Sequence, residues 1–327
     1  MSNQRHQKNH SDKQNNTKQS PARTFRITVG VIWNLFLIFS GLAALAIIFG
    51  LSIGLGYFAY LTSDEPLHSK EDMRSTILNY EEASELYFSD EQYLGRINTD
   101  VERKKTTLEN ISPYVIDAVI ATEDEHFYEH NGIVPKAIAR GVLQDVTNSS
   151  QQTGGSTLTQ QLIKNQILTN EVSYSRKAKE ILLAMRLEKF MEKDEILEAY
   201  LNVIPYGRDA IGQNIAGIET AAQGIFGISA KELNLPQAAF LAGIPQSPYT
   251  YTPFQSRANG GDIKPEKQLQ KGLNRMQTVL YRMKETGKIT DVEYQEAKAS
   301  DVTKDFRGKF PLPTENILIL NKKFKMK

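Results

Sequence analysis

Between Ile27 and Ser63 the chain carries no charged residue, a run of 37 positions. A helix crossing the hydrocarbon core of a bilayer needs about 20 apolar residues, so this run spans with length to spare. Gly41, Gly50, Ser52, Gly54 and Gly56 punctuate it, which lipid-embedded helices tolerate better than soluble ones. A cleaved signal peptide has an apolar region of only about 7–15 residues and a small-x-small site after it. This run is too long and no such site follows it, so 27–61 is read as a retained anchor.

Residues 1–26 carry Arg5, Lys8, Lys13, Lys18, Arg23 and Arg26 against one acid, Asp12. Basic flanks stay in the cytoplasm, which predicts a single-pass cell-membrane protein with its N-terminus inside and its body outside. The tail offers little to bury and reads as disordered, with His6 and His10 solvated rather than ligating. Over all 327 residues, 39 Lys+Arg balance 38 Asp+Glu for a net charge of +1. That balance argues against nucleic acid as a partner, since a phosphate footprint leaves a basic surplus. The absence of Cys excludes disulfides, thiolate metal sites and a thiol nucleophile.

Residues 62–109 read as an extracytoplasmic stalk. In it, Ser84-Glu-Leu-Tyr-Phe and Tyr93-Leu-Gly-Arg-Ile form two short strands around a turn at 89–92. Beyond the stalk the pattern turns helical. Pro113 to Ala121 has helical apolar spacing, and a second helix opens near Val134 with Ile138, Val142 and Val146 on one side. Ser175–Met191 is amphipathic, with Ala178, Ile181, Met185 and Phe190 as its predicted buried stripe. Asp194–Asn202 continues it after a break. Leu269, Leu273, Met276, Leu280 and Met283 mark a late helix, and Thr290 with Glu293 forms a capping box for one more. The fold class is mainly α, and no internal repeat is present.

Several motifs fail on inspection. His126 and His130 have the spacing of a helical zinc site, but Glu129 is misplaced and no third ligand follows. Gly154-Gly-Ser156-Thr-Leu158 lacks the closing Gly of a nucleophile elbow, and no Ser-x-x-Lys occurs anywhere. Gly287-Lys288-Ile289 lacks the Ser or Thr of a P-loop.

Four segments survive. In Glu123-Asp-Glu-His-Phe127-Tyr128-Glu-His130-Asn-Gly132, a carboxylate at a helix end beside aromatic rings suits a general base, though an acidic helix cap has the same look. In Thr153-Gly-Gly-Ser156-Thr-Leu-Thr-Gln160-Gln161, glycines admit a ligand and hydroxyls and amides supply hydrogen bonds, unless Ser156 is a plain N-cap. Arg176-Lys177-Ala-Lys-Glu180 suits a diphosphate, or is a solvated face with an Arg176–Glu180 pair in the weaker orientation. Lys193 to Asn202 reads as a packed structural helix.

In that order and spacing, Glu-Asp-x-x-Phe-x-x-His-x-Gly, Gly-Gly-Ser-Thr-x-x-Gln-Gln, Arg-Lys-x-x-Glu and Lys-x-x-Ile-Leu-Glu-x-Tyr-Leu-Asn resemble glycosyltransferase family 51. These are the peptidoglycan glycosyltransferases of class A penicillin-binding proteins and monofunctional transglycosylases. The likeness covers about 112–254, with Tyr206-Gly207, Gly212, Glu219, Ala221, Ala222 and Phe226-Gly227 fitting too. The run from Leu235 to Pro248 is similar to class A proteins of Gram-positive cocci.

The resemblance implies a lysozyme-like domain over 110–300 with a membrane-associated jaw. It implies a glycosyltransferase that polymerises lipid II onto a growing glycan strand in cell-wall synthesis. Glu123 would be the catalytic base. Glu180 would organise the acceptor or help hold a divalent cation (Mg or Mn) at the diphosphate; no organic cofactor is implied. Lys164, Arg176 and Lys177 would neutralise diphosphate charge. Asp124, Phe127, His130, Gly155, Ser156, Thr157, Gln160, Gln161 and Asn202 would complete the substrate cleft. Cell-division or elongation proteins fit as partners.

Two departures stand out. Val134 occupies a position where the family often has an acid. A class A protein would also continue into a transpeptidase domain, whereas 301–327 reads as an aberrant tail. The expectation is a truncated class A protein without transpeptidase activity, a monofunctional enzyme being the competing reading; an in-frame Ser-x-x-Lys downstream would decide. An inactive membrane scaffold and a lysozyme-like lytic enzyme are the alternative functions.

Overall fold

The computed structural model describes residues 21–79, 85–87, 93–96, 100–147, 155–168, 171 and 173–308. It divides into two units, one ending at Ser63 and the other starting at Asp64. In the first, α1 (Pro21–Leu61) is a single helix that opens six residues earlier than the uncharged run. Pro21 suits a helix start, where its missing N–H is no loss. Thr28–Leu61 has a mean hydropathy of 2.5 and is long and apolar enough to cross a membrane. Its Trp33, Phe36, Phe39 and Phe49 side chains are exposed, and in water such a surface would be costly. Residues 1–20 lie outside the described ones.

The second unit is mainly helical. Its N-terminal part differs from a separate stalk. Helix α2 (Lys70–Leu78) opens on a capping box between Ser69 and Asp72 and buries Met73 and Ile77, four apart on one face, in the main core. Arg74 clamps Glu195 with two hydrogen bonds of 2.7 and 2.9 Å. The expected strand pair is present as β1 (Glu85–Tyr87) antiparallel to β2 (Tyr93–Arg96); its turn lies outside the described residues. Then β3 (Glu102–Arg103) joins the body through a sheet described below.

Helix α3 (Pro113–Glu123) has Pro in its first turn and turns Val115, Ala118 and Val119 inward. It packs with α9 (Leu235–Gly243) and α11 (Glu266–Glu285). Asn234 caps α9, and from Gln237 to Gly243 every residue is buried, the pattern of a helix enclosed on all sides. The late heptad-like pattern is α11, whose Met276, Leu280 and Met283 are buried as the spacing predicts. Helix α4 (Pro135–Val146) precedes a second group, α5 (Leu158–Gln166), α6 (Tyr174–Leu187) and α7 (Lys193–Val203), in which α5 packs on both others.

The buried face of α6 is Ala178, Glu180, Leu183, Ala184 and Leu187. The predicted stripe held only at Ala178; Ile181, Met185 and Phe190 are half-buried. Apolar residues occupy most of 181–187, so periodicity could not pick the inward face, and the buried carboxylate at 180 pointed away from it.

A small sheet escaped the sequence pattern. β4 (Pro205–Arg208) runs antiparallel to β5 (Asn214–Ala216), which pairs in parallel with β3. Strands of two to four residues are too short to show alternation. Short helices α8 (Ile218–Ala221) and α10 (Pro248–Tyr251) follow. Helix α12 (Asp291–Ala299) opens on the predicted Thr290–Glu293 capping box. The body continues past 300: Val302 is buried, and the Phe306 ring lies 5.3 Å from Phe240 and 5.8 Å from Phe226. Residues 309–327 lie outside the described ones.

Candidate active site

Glu123 ends α3 at the junction of the two helix groups. Gln161 Nε2 of α5 donates to its Oε2 at 3.1 Å, and Arg275 Nη2 of α11 donates to its Oε1 at 3.0 Å. Both members of the ion pair are about 85% buried, with side-chain exposures of 14% for Arg275 and 15% for Glu123. Tyr200 donates to Gln161 Oε1 at 3.3 Å, fixing which way the amide faces. Burial, and then the charge of Glu123, raise the phenols of both Tyr200 and Tyr206. The rings that feel this carboxylate are therefore Tyr200 and Tyr206, whereas Phe127 and Tyr128 were expected. Phe127 is fully buried and lies edge-on to Tyr128 and His130.

The residues after Glu123 form a scaffold. Asp124 accepts Leu158 N–H at 2.9 Å and His130 Nε2–H at 2.9 Å. His130 Nδ1 accepts Gly132 N–H at 3.1 Å, so both ring nitrogens are engaged within this segment. Thr157 donates to the Gly132 carbonyl at 2.6 Å. Gly132 has φ +85°, and a Cβ there would sit 2.6 Å from Ala184 O; only glycine fits. His126 Nδ1 lies 2.9 Å from Glu129 Oε2. Asp124, Phe127, His130 and Thr157 are thus spent on holding the Glu123 segment against α5.

Helix α5 is capped by Thr157, reciprocally with Gln160, and not by Ser156. That frees the Ser156 hydroxyl, which accepts from Lys177 Nζ at 2.7 Å. Lys177 also donates to Glu180, whose side chain is only 3% exposed. The pairing inside this motif is therefore Lys177–Glu180 and not Arg176–Glu180. Arg176 Nε is buried without a partner among the described residues, a donor that an anion would satisfy. Lys164 is one turn beyond Gln161 on the same side of α5. Gly155 is exposed beside this start. So α5 and the residue just before its cap reach the two carboxylates, Glu123 through Gln161 and Glu180 through Ser156 and Lys177.

Two predicted residues lie elsewhere in role. Asn202 is fully buried and bridges Thr106 N–H, Thr106 O and Glu198 O, tying α7 to the segment after β3. Gln160 is buried in the α5 cap. Glu180 is paired with Lys177, and among the described residues no three His, Cys, Asp or Glu converge.

Arg275 and Tyr200 are the site residues that sequence reasoning missed. The signal for Arg275 is a cation one residue from Met276, inside the buried stripe of α11. Gly243 lets it pass, since a Cβ there would meet Arg275 Cγ at 2.9 Å.

A buried carboxylate gripped by an amide and a guanidinium, and a second one clamped by a lysine, flank the start of one helix in a chain with an apolar anchor. That combination suits an enzyme that works by carboxylate and cation chemistry, in a chain whose first helix is long and apolar enough to cross a membrane. A family model described as Transglycosylase matches residues 90–284, and the chain belongs to that family. Penicillin-binding protein 1A of Clostridium botulinum is 36% identical over 284 residues, 86% of this chain and 31% of that protein. The same-named protein of Aquifex aeolicus is 40% identical over 231 residues, 70% of this chain and 29% of that one. The chain spans about three tenths of the length of these relatives. Among solved structures, penicillin-binding protein 1A of Haemophilus influenzae aligns at 20% identity and a TM-score of 0.38, over 76% of this chain and 24% of that one.

Proposed function

We propose that the chain is a peptidoglycan glycosyltransferase that joins lipid II units into β(1→4) glycan. The observation that carries this reading is that Gln161 of α5 holds Glu123 while Ser156, just before the α5 cap, holds the Lys177–Glu180 pair, in a member of the transglycosylase family. Glu123 takes the proton from the C4 hydroxyl of the acceptor GlcNAc. That oxygen attacks the anomeric carbon of the lipid-linked MurNAc from the opposite face, and undecaprenyl diphosphate leaves.

Arg275 aims Glu123 through one carboxylate oxygen, and Gln161 fixes the second. Lys177, Arg176 and Lys164 offset the charge that grows on the departing diphosphate, the term that electrostatic preorganisation serves best. Glu180 holds Lys177 in place and lies on the acceptor side. General-base assistance is worth roughly 10²–10⁴-fold. The anchor keeps the site at the membrane where a lipid-borne substrate resides, with the body on the extracytoplasmic side.

The test incubates detergent-solubilised full chain with labelled lipid II and resolves the products on a gel. A ladder of glycan polymer is the expected outcome. Release of anhydro-muropeptides from glycan, without polymer, would instead establish a lytic enzyme.

A further inference from the structure

A polar cavity lies one turn along α11 from Arg275. It has a volume of about 470 Å³ and is walled by the end of β4, by α10, by the loop after it and by the first turns of α11. That volume is within the range of small-ligand sites, about 300–1,000 Å³. Three of its lining residues are cations, Arg208, Lys264 and Lys271, and none is an acid. Across the whole chain acids and bases are nearly equal in number, so a cavity with one sign of charge is a local arrangement.

Lys264 is only 8% exposed. Its Nζ donates to Tyr249 O at 2.8 Å and Thr250 O at 3.1 Å, leaving one of three donors for a ligand. The Arg208 guanidinium lies 4.7 Å from the Tyr249 ring centroid, which orients it while its N–H edge stays available. Among the described residues none of the three has a carboxylate within ion-pair distance. Burial, then Arg208 and Lys271, push the Lys264 ammonium down to about 8, as expected for cations that converge. Such a group costs free energy unless an anion enters. A smaller cavity of about 300 Å³ adjoins, sharing Arg208 and Ser256.

We propose that this cavity is an oxyanion subsite for the carboxylates of the peptide carried on the glycan substrate. The proposal rests on the glycosyltransferase reading above. On that reading the substrate's diphosphate is met by Lys164, Arg176 and Lys177, and the anionic groups left over are peptide carboxylates. Residues 271 and 275 are neighbours on one helix side, so a sugar held near Glu123 carries its peptide within reach of Lys271. Arg208 supplies the fork that matches a carboxylate, and Lys264 and Lys271 add point charges. The subsite holds the strand in register and makes the enzyme selective for acidic stem peptides.

The test uses the full chain in detergent and a fluorescent, lipid-free muramyl peptide, read by anisotropy. It compares the natural protein with the doubly substituted Arg208→Gln, Lys271→Gln variant, whose melting curve checks folding. Neither residue belongs to the catalytic set, and Lys264, which braces two carbonyls, is left in place. The free-acid peptide binds the natural protein, and binding weakens at least tenfold in the double variant. The fully amidated peptide binds the natural protein as poorly as the free acid binds the variant. No binding of the free acid, equal binding of the amide, or an unchanged variant overturns the proposal. Inorganic phosphate displacing the probe at lower concentration than the unlabelled peptide does would make phosphate the ligand and overturn the peptide assignment. Lipid II polymerisation measured in parallel separates the two readings. Polymer without peptide binding sinks the subsite alone, and peptide binding without polymer sinks the reaction alone.

Discussion

Replacing Arg275 by Met isolates what a cation on α11 does for the base on α3. The guanidinium is 3.0 Å from Glu123 Oε1, and both side chains are about 85% buried. A hydrogen bond to a charged group is worth about 1.5–3 kcal/mol net. Glu123 keeps its other partner, the Gln161 amide at 3.1 Å, so the loss is one contact and not the whole site. If that energy aligns the carboxylate in the transition state, turnover falls roughly 10–150-fold. Lys at 275 keeps the charge and loses the planar fork, so it falls between Met and the natural residue. The assay is single-enzyme turnover of labelled lipid II with kcat and KM resolved separately, beside a melting curve. The fall should be in kcat. A Met variant that melts normally and turns over within about threefold of the natural protein would show that Arg275 does not hold the base.

Three further outcomes follow from the geometry. Lys177→Met leaves the 3%-exposed Glu180 carboxylate alone, and because Lys177 is 40% exposed the loss is about 1–3 kcal/mol rather than the 3–5 of a fully buried pair; adding Glu180→Gln should restore the melting temperature but not activity, and failure to restore it would deny the pairing. Gly132→Ala forces a positive φ on alanine and a Cβ 2.6 Å from Ala184 O, costing about 2–5 kcal/mol and lowering the melting temperature by roughly 5–15 °C; an unchanged melt would refute the packing. The Lys264 ammonium is near 8 in the fold against 10.5 unfolded, so folding is penalised below pH 8 and relieved as pH rises toward 10.5. Relative to Lys264→Met, the natural protein should gain stability across that window, and parallel pH profiles would contradict the burial.

Much of this was legible in the sequence where one physical rule dominates. The uncharged run became α1, the capping box at Thr290 opened α12, and the spacing of Met276, Leu280 and Met283 gave α11 its inner face. Legibility ended where long-range contacts decide. Met73 and Ile77 look like residues of a charged stalk until the core they enter is assembled. Strands β3, β4 and β5 exist only through their pairing. On α6, near-continuous apolar sequence hid the inward face. In the site, Glu123 and Glu180 were visible through motif spacing, but the roles of their neighbours were not. Asp124, His130 and Thr157 have the chemistry of ligand-binding groups, and only the fold shows their bonds closing on one another. Arg275 is 152 positions from Glu123, a separation no local pattern bridges.

The central claim is that Glu123 is the base of a glycan-forming reaction. Glu123→Gln keeps the volume and one acceptor oxygen while removing the proton-accepting charge. With detergent-solubilised protein, labelled lipid II and matched melting curves, the natural chain should give a polymer ladder and the Gln variant a rate at least 10²-fold lower. A folded Gln variant that polymerises at the natural rate would contradict the account, as would a folded natural chain that makes no polymer.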